Sequence, residues 1–304
     1  MSATASHPDP AWLETLGAEA EPRVGFFTDT SVCIGCKACE VACKEWNGVP
    51  EESGGLSGRS YDNGRELGAN RWRHVAFVEQ RIEVGVGGAA PDSLAAEASR
   101  QQLVEGGLPV HDAGDGLRWL MSSDVCKHCT EAGCLDGCPT GAIFRTEHGT
   151  VVVQEDVCNG CGYCVVACPF GVLDRRREDG RVWKCTLCYD RLRGGMEPAC
   201  AQACPTDSIQ FGDLDALRSR AAERVERLRE RGVGGAQLYG ADDEDGVGGF
   251  GAFFLLLDDP ETYGLPPDPV VPTRHLPDAF AAAAAASAAL LAGVTAAFIG
   301  RRGR

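Results

Sequence analysis

The pattern of apolar and polar residues along the chain predicts one clearly amphipathic helix. In residues 213–232, DLDALRSRAAERVERLRERG, apolar side chains recur every three or four positions, which is the period of one helix face. Asp213 can cap this helix, and Gly232 can end it. The predicted buried face consists of Leu214, Leu217, Ala221, Val225 and Leu228.

Shorter apolar and alternating stretches predict strands in much of the remaining chain. Two of these strands flank a turn at His148 and Gly149. Residues 91–107 are predicted to form a further helix, which Asp92 or Ser93 would cap. Residues 25–47 are predicted to form a short strand, a cysteine loop and a short helix. The other predicted strands lie at 71–86 (a strand or a hairpin), at 117–123, at 206–212 and at 251–259. A proline-rich strap follows the last of them and leads to the C-terminal segment.

Residues 279–300 contain no charge, and as a helix these 22 residues would extend roughly 33 Å. That length is enough to cross a bilayer core of about 30 Å. A buried helix of a soluble domain is the alternative, since twelve of these residues are alanine. Arg301, Arg302 and Arg304 follow directly, which predicts a cytoplasmic C-terminus. The first thirty residues have no apolar run and no twin arginine, so we expect no signal peptide.

Cysteine usage sets this chain apart from an ordinary globular domain. The 304 residues include sixteen cysteines, all in four tight groups at 33–43, 126–138, 158–168 and 185–204. An even count suggests disulfides in a small secreted protein, but clustered thiols indicate metal binding. The net charge of -15 argues against a nucleic-acid partner, because phosphate binding requires an excess of basic residues.

The third cysteine group, from Cys158 to Pro169, matches the run C-x2-C-x2-C-x3-C-P of bacterial ferredoxins in full. In that run three thiolates hold one 4Fe-4S cluster and the fourth reaches a neighbouring cluster. The first group has the same spacing without the proline, while the second and fourth groups each widen one gap. Zinc bound by four thiolates is the alternative. The repeated trios and the proline after three of the groups favour iron-sulfur clusters.

Several polar residues beside the cysteines have two interpretations each. Lys37, Lys127 and Lys184 either raise the reduction potential of a bound cluster or are ordinary solvated lysines. His128 is a candidate spare ligand, although four thiolates per cluster are complete without it. Arg175 to Arg177 either dock an acidic partner or form a solvated turn.

Two sequence features argue against a nucleotide site and against catalysis by this chain alone. Residues 246–251 fit G-x-G-x-x-G, but an acidic stretch precedes them and a strand follows, so they are predicted to form a loop. The sequence also shows no serine, histidine and carboxylate arrangement around a recognisable nucleophile.

The chain resembles a known family over residues from about 24 to the end. The resemblance lies in CIGCKACEVACKEWN, in YDN at 61–63, in VCKHCTEAGCLDGCPTGAI, in GCGYCVVACPFG and in RVWKCTLCYDRLRGGMEPACAQACPTDSIQFG, and it continues in GVGG, YGLPPDP and the terminal apolar helix. These motifs resemble the four-cluster iron-sulfur subunits of membrane-bound molybdenum or tungsten oxidoreductases. The similarity is greatest to the beta subunit of respiratory formate dehydrogenase.

The resemblance implies an α+β fold made of two interlocked bacterial-ferredoxin-like dicluster domains, plus a C-terminal transmembrane helix. The expected divisions are a leader at 1–23, a first domain at 24–117 with 181–212 that includes a long insertion at 44–117, a second domain at 118–180, a helix-strand cap and strap at 213–277, and an anchor at 278–300. Four 4Fe-4S clusters are implied, on Cys33, Cys36, Cys39 and Cys204; on Cys185, Cys188, Cys200 and Cys43; on Cys126, Cys129, Cys134 and Cys168; and on Cys158, Cys161, Cys164 and Cys138.

By the same resemblance, the chain passes single electrons from a molybdopterin-containing catalytic subunit to a membrane cytochrome b or quinone-reactive subunit. It is then a non-catalytic subunit anchored in the cytoplasmic membrane. The cytoplasmic C-terminus predicted from the terminal arginines would put its clusters on the extracytoplasmic side. Alternatives are the same role beside a hydrogenase, a sulfur-compound reductase or a dimethyl sulfoxide reductase. A zinc-structured or metal-storage scaffold is an alternative of a different class.

Overall fold

The computed structural model describes residues 22–51, 58, 61, 62, 64, 66–81 and 117–302. The predicted helix at 91–107, residues 82–86 of the predicted strand and residues 1–21 of the leader lie outside these residues. The described strands are β1 (Val24–Asp29), β2 (Arg73–Arg81), β3 (Leu117–Val125), β4 (Ile143–Arg145), β5 (Val151–Val153), β6 (Asp174–Arg175), β7 (Val182–Trp183), β8 (Ile209–Asp213), β9 (Gln237–Tyr239) and β10 (Ala252–Leu256). The described α-helices are α1 (Ala38–Asn47), α2 (Gly133–Asp136), α3 (Tyr163–Val166), α4 (Tyr189–Arg193), α5 (Ala199–Gln202), α6 (Leu214–Glu230) and α7 (Leu276–Arg302).

A four-stranded sheet in the order β8-β1-β10-β9 joins distant parts of the sequence. Strand β1 pairs antiparallel with β8, from Val24 opposite Asp213 to Thr28 opposite Ile209, and parallel with β10 on its other side. Apolar side chains such as Phe26 and Phe253 are completely buried in this sheet. The sheet therefore brings the segment before the first cysteine group next to the segment after the fourth.

Helix α6 covers this sheet and confirms the prediction from the apolar pattern. The backbone N–H of Ala216 donates to the side chain of Asp213 over 2.9 Å, so Asp213 caps the helix. The helix ends at Glu230, and Gly232 has a φ of +86° just beyond it. All five residues of the predicted face, Leu214, Leu217, Ala221, Val225 and Leu228, are buried.

Strands β2 and β3 form a long antiparallel hairpin whose ends pair Arg73 with Val125 and Arg81 with Leu117. This pairing confirms the predicted strand at 117–123 and the described part of the prediction at 71–86. The predicted strands around the turn at His148 and Gly149 are also confirmed, since β4 pairs with β5. The strand at 251–259 is confirmed as the fully buried β10.

Helix α7 differs from every other described α-helix because none of its described side chains is buried. The stretch Asp278–Phe298 is long and apolar enough to cross a membrane, and no part of it is buried. Phe280, Leu290 and Phe298 are each about 70% exposed. A helix buried in a soluble core, the alternative weighed above, does not fit this exposure.

Candidate metal centres

The four cysteine loops share one backbone feature. The residue immediately before the second cysteine has a positive φ in each loop: +63° at Gly35, +46° at His128, +71° at Gly160 and +55° at Leu187. Left-handed residues in such loops turn successive backbone N–H groups toward one point, where they form a concave anion site. Each loop is therefore built to surround a negatively charged group such as an iron-sulfur cluster.

At Gly160 the close backbone approach also requires glycine. A Cβ atom there would lie 2.1 Å from the carbonyl oxygen of Gly180, which is far inside van der Waals contact. Glycine marks the left-handed position in only two of the loops. His128 and Leu187 adopt it as well, although left-handed conformations are unfavourable for residues with a side chain.

The first thiol set comprises Cys33, Cys36, Cys39 and Cys204, which line one cavity. Cys36 is exposed, whereas Cys39 is buried at the start of α1. Burial raises the pKa of the Cys33 thiol to about 11, and nearby charge on Cys39 and Cys204 contributes to the rise. Thus the structure brings a cysteine of the fourth group to the trio of the first group.

The second thiol set comprises Cys43, Cys185, Cys188 and Cys200, and all four are buried. Helix α1 carries Cys43 and packs against α5, which carries Cys200. Burial raises the pKa of Cys43, and charge on Cys185, Cys200 and Cys188 adds to the rise. The Asn47 amide contacts both Cys43 and Cys188, at 3.8 Å and 3.7 Å from their Sγ atoms.

The third thiol set comprises Cys126, Cys129, Cys134 and Cys168. Burial raises the pKa of Cys129 well above its usual value, and charge on the other three thiols adds to the rise. Cys126 is buried, while the other members are partly exposed. Here too the fourth member comes from a different cysteine group.

The fourth thiol set comprises Cys138, Cys158, Cys161 and Cys164, which line a second cavity. The backbone N–H of Val182 donates to the Sγ atom of Cys158 at 3.4 Å. Cys161 is exposed, as Cys36 is in the first set. Both cavities thus have one cysteine at the surface.

The four sets form a row from the first to the fourth. Burial raises the pKa of Cys200 to about 11, Arg73 opposes the rise, and charge on Cys188 and on Cys39 of the first set adds to it. Burial likewise raises the pKa of Cys185 to about 12, with a contribution from Cys126 of the third set. Cys134 of the third set is in turn close enough for Cys164 of the fourth to contribute to its raised pKa. The two exposed cysteines lie in the outer sets, and the fully buried set lies inside the row.

Lys184 lies between the second and third sets and is 2% exposed. Its ammonium donates to the carbonyl oxygens of Val151 and Cys185. Burial alone would lower the pKa of Lys184, but charge on Cys126, Cys134 and Cys185 outweighs that effect and raises it. The solvated interpretation of this lysine is therefore wrong.

The other two lysines differ from each other. Lys127 is 1% exposed, pairs with Asp124 and stands 4.8 Å from the ring centre of Phe254, so it is not solvated either. Lys37 is partly exposed, and its ammonium lies 3.2 Å from a carboxylate oxygen of Glu40. Of the three lysines, only Lys37 is partly exposed to solvent.

His128 is buried, and its Nδ1 accepts a hydrogen bond of 3.1 Å from the backbone N–H of Val151. Burial lowers the pKa of His128 well below its usual value, and positive charge on Lys184 and Arg23 adds to the effect. The ring is therefore neutral with its proton on Nε2. One of the two ring nitrogens that could bind a metal is already used by the backbone.

The cysteine-free segment after the first group supplies site residues that sequence reasoning missed. Arg73 at the start of β2 is 2% exposed and lies among thiols of the first two sets. Its Nη1 donates to the side-chain oxygen of Ser123 over 3.0 Å, and the Ser123 hydroxyl lies 3.2 Å from the Sγ atom of Cys39. No spacing rule connects residues 73 and 123 to the cysteines, because hairpin pairing alone brings them there.

Residues 246–251 form a loop, as the sequence predicts, and this loop supports the third thiol set. Asp245 accepts hydrogen bonds from the backbone N–H groups of Val247 and Gly249. The carbonyl oxygens of the same two residues accept from Glu131 and Thr130, between Cys129 and Cys134. The glycine run therefore serves as a backbone support.

The arginines of the charged turn have different environments. Arg176 lies over the Trp183 ring with 3.9 Å between its guanidinium carbon and the ring centre, and it donates to Asn70 over 2.9 Å. Arg175 and Arg177 are exposed. The three arginines therefore do not share one environment: Arg176 is held by contacts within the protein, whereas Arg175 and Arg177 are exposed.

All sixteen cysteines lie in described residues and are free thiols. Within the part of the chain that the structure describes, no three cysteine, histidine or carboxylate side chains meet at a site for a single metal ion. The thiols of the first and fourth sets instead line cavities, and the backbone N–H groups of the cysteine loops and the N–H groups of Arg73 provide donors for sulfur. The donor set therefore fits 4Fe-4S clusters.

Comparisons with known proteins agree with this donor set. Residues 117–214 match the family described as a 4Fe-4S dicluster domain. The chain is 40% identical over 253 residues to the formate dehydrogenase iron-sulfur subunit of Haemophilus influenzae, covering 82% of this chain and 70% of the relative. It is 38% identical over 276 residues to the nitrate-inducible formate dehydrogenase iron-sulfur subunit of Escherichia coli, covering 90% of this chain and 81% of the relative.

A more distant relative is the B subunit of the anaerobic dimethyl sulfoxide reductase of Escherichia coli, at 33% identity over 199 residues, covering 65% of this chain and 77% of that protein. The dicluster match and the thiol-lined cavities define a 4Fe-4S protein of the electron-transfer class. Identity and coverage then place the chain in the family of formate dehydrogenase iron-sulfur subunits.

Proposed function

We propose that this chain is the electron-transfer subunit of a membrane-bound formate dehydrogenase and has no catalytic site of its own. It would carry electrons from a molybdenum or tungsten catalytic subunit to a membrane cytochrome b or quinone-reactive subunit. The observation that carries the proposal is the succession of four neighbouring thiol sets, with a fully buried second set and with exposed cysteines in the first and fourth sets. When bound, 4Fe-4S clusters accept and release single electrons.

Sixteen cysteines at four per cluster provide ligands for four clusters. The proposed ligands are the four thiol sets as defined above. Each set combines three cysteines of one group with one cysteine of another, as in the bacterial ferredoxin arrangement. Accordingly, the first and second sets belong to one domain, at 24–117 with 181–212, and the third and fourth sets belong to the domain at 118–180.

The ends of the row have the character of docking surfaces. Exposed Cys36 lies near the exposed apolar residues Ile34 and Val41, and exposed Cys161 lies near Tyr163 and Val166. Apolar side chains around an exposed ligand suit a partner that excludes water at the point of electron exchange. We assign the Cys36 end to the catalytic subunit and the Cys161 end to the membrane subunit.

Helix α7 is the proposed membrane anchor. Its apolar stretch is unburied, and Ala285, Ala289, Gly293 and Ala297 form a stripe of small residues suited to close packing against partner helices. By the positive-inside rule, the arginines after it support a cytoplasmic C-terminus, with the clusters on the opposite side. Protease treatment of spheroplasts should therefore cleave the cluster domain. Protection in spheroplasts, with cleavage in inverted vesicles, would contradict this orientation.

The test of the main proposal is purification of the intact complex under anaerobic conditions. The complex should contain a molybdopterin subunit, oxidise formate, and contain enough iron in this chain for four 4Fe-4S clusters. Redox titration followed by electron paramagnetic resonance should detect clusters that titrate between roughly -700 and +450 mV. A colourless chain with bound zinc would contradict the proposal.

A second candidate is the same role in a dimethyl sulfoxide reductase complex. The observation in its favour is the 33% identity to the B subunit of that enzyme. The formate dehydrogenase subunits are more similar to this chain, at 40% and 38% identity over 82% and 90% of its residues. The two candidates are separated by assaying the purified complex for formate oxidation and for dimethyl sulfoxide reduction. Reduction without formate oxidation would select the second candidate.

A further inference from the structure

Arg73 is a charged side chain buried at the junction of the first two thiol sets. It is 2% exposed, and its guanidinium carbon lies 4.9 Å from the ring centre of Phe26. Its Nη1 donates to the hydroxyl and the carbonyl oxygen of Ser123, at 3.0 Å and 3.3 Å. The guanidinium is thus fixed by an aromatic ring and by the hairpin of β2 and β3.

Two donor atoms of this guanidinium have no oxygen or nitrogen acceptor among the described residues. Among the described residues, neither Nε nor Nη2 of Arg73 has a hydrogen-bond partner, although both atoms are buried. Buried N–H groups are nearly always paired in folded proteins, and an unpaired buried charge is strongly unfavourable. The Cys200 thiol lies within hydrogen-bonding reach of the Arg73 side chain, so the remaining donors face sulfur.

The surroundings of Arg73 contain sulfur on two sides. The Ser123 hydroxyl that accepts from Arg73 lies 3.2 Å from the Sγ atom of Cys39, which belongs to the first thiol set. The Arg73 side chain is also within hydrogen-bonding reach of Cys200, which belongs to the second set. One guanidinium therefore faces both sites.

We propose that Arg73 is a positioning residue shared by the clusters of the first and second thiol sets, with its fixed charge and unpaired N–H groups directed at their sulfur atoms. This inference rests on the proposed function, because it requires clusters at both sites. Hydrogen bonds to sulfur and the local charge set the potential of an iron-sulfur cluster. A permanent cation in a water-excluded site favours the reduced, more negative form. Arg73 accordingly raises both reduction potentials together.

The test compares two variants in the intact complex purified anaerobically. Arg73→Met removes the charge and the donors with a similar volume, and Arg73→Lys keeps a charge but loses the planar fork of donors. The readout is the midpoint potential of each cluster signal in an electron paramagnetic resonance titration. The signals of the first and second sets are identified as those altered by Cys204→Ser and by Cys43→Ser. Arg73→Met should lower both potentials, and Arg73→Lys should lower both by less.

Arg218→Met is the matched control. Arg218 is a partly buried arginine whose Nε, like that of Arg73, has no hydrogen-bond partner among the described residues, but its guanidinium pairs with Asp243. This variant should leave the potentials of the first and second sets unchanged. If Arg73→Met does not assemble its clusters, the Arg73→Lys variant decides the question.

Three results would overturn the inference. Two of them are unchanged cluster potentials in Arg73→Met and unchanged cluster potentials in Arg73→Lys. The third is a shift in the potential of only one of the two clusters, because a residue shared by both should affect both. Absence of iron from the unmodified chain would instead contradict the proposed function. The two failures are distinguished by the iron content and spectrum of the unmodified complex.

Discussion

The junction between the first and second thiol sets and the junction between the second and third each contain one buried cation, but the two cations are held differently. Lys184 donates to the carbonyl oxygens of Val151 and Cys185, so the backbone provides acceptors for its charge. Arg73 is anchored through one nitrogen and has two donors without a partner in the described residues. Burial beside thiols is therefore not enough to assign the role of a cation. Its hydrogen-bond partners must be known as well.

The hydrogen bonds of Lys184 connect β5 to the start of the fourth cysteine group. Its removal would leave two buried carbonyl oxygens unpaired, and each unpaired group costs about 1–3 kcal/mol. Arg73 also makes two side-chain hydrogen bonds to protein oxygen atoms, but both come from Nη1 and end on Ser123, while Nε and Nη2 lack such partners. We therefore expect its removal mainly to affect what the thiols bind. Lys184 is thus chiefly a structural cation, and Arg73 is chiefly directed at the clusters.

The largest predicted effect on stability is that of Lys184→Met. We expect the free energy of unfolding to fall by about 3–5 kcal/mol, because a buried charge and its partners lose their pairing. Thermal unfolding of the anaerobic protein, monitored by circular dichroism and cluster absorbance, measures the change. Lys184→Arg is the control, since it retains a charge and donors. Stability equal to that of the unmodified chain in Lys184→Met would remove the distinction between the two junctions.

A core variant outside the junctions sharpens the comparison. Leu228 in α6 is completely buried, and Leu228→Ala should lower the free energy of unfolding by about 2–5 kcal/mol through a cavity. The cluster potentials should stay unchanged, because the effect is confined to packing of α6 on the sheet. Denaturant unfolding and redox titration of the same sample measure both quantities. A shift in potential would show that stability and potential are not separable in this protein.

The smallest predicted effect concerns the cap of α6. Asp213→Ala removes the hydrogen bond from Ala216 and should cost about 0.5–2 kcal/mol. Asp213→Asn is the matched control, because asparagine caps helices about as well as aspartate. Denaturant unfolding is the measurement. Equal losses in the two variants would assign the effect to the charge of Asp213 and not to its capping bond.

The parts of the fold that could be predicted from sequence are those governed by local pattern. The period of apolar residues in 213–232 predicted the buried face of α6, because a helix repeats its contacts every three or four residues. Cysteine spacing predicted four similar loops, and glycine marked the left-handed residue at 35 and 160. At 128 and 187 a histidine and a leucine take that conformation, which no local signal in the sequence indicates.

The polar environment of the thiols could not be predicted, because it depends on contacts between distant segments. Pairing of β2 with β3 brings Arg73 and Ser123 together across 50 residues. Both residues then lie beside cysteines that are distant from them in the sequence. Lys127 and Lys184 appeared as possible surface residues, since lysine is rarely buried without a partner. Their partners, Asp124 for one and backbone carbonyl oxygens for the other, become evident only when the chain is folded.

The central claim is that the thiol sets are crossed, with Cys204 in the first set and Cys200 in the second. The most direct measurement compares Cys204→Ser with Cys200→Ser by iron content and electron paramagnetic resonance of the anaerobic complex. Cys204→Ser should alter or remove the cluster of Cys33, Cys36 and Cys39 while the cluster of Cys185 and Cys188 keeps its signal, and Cys200→Ser should do the opposite. The reverse assignment would contradict the account.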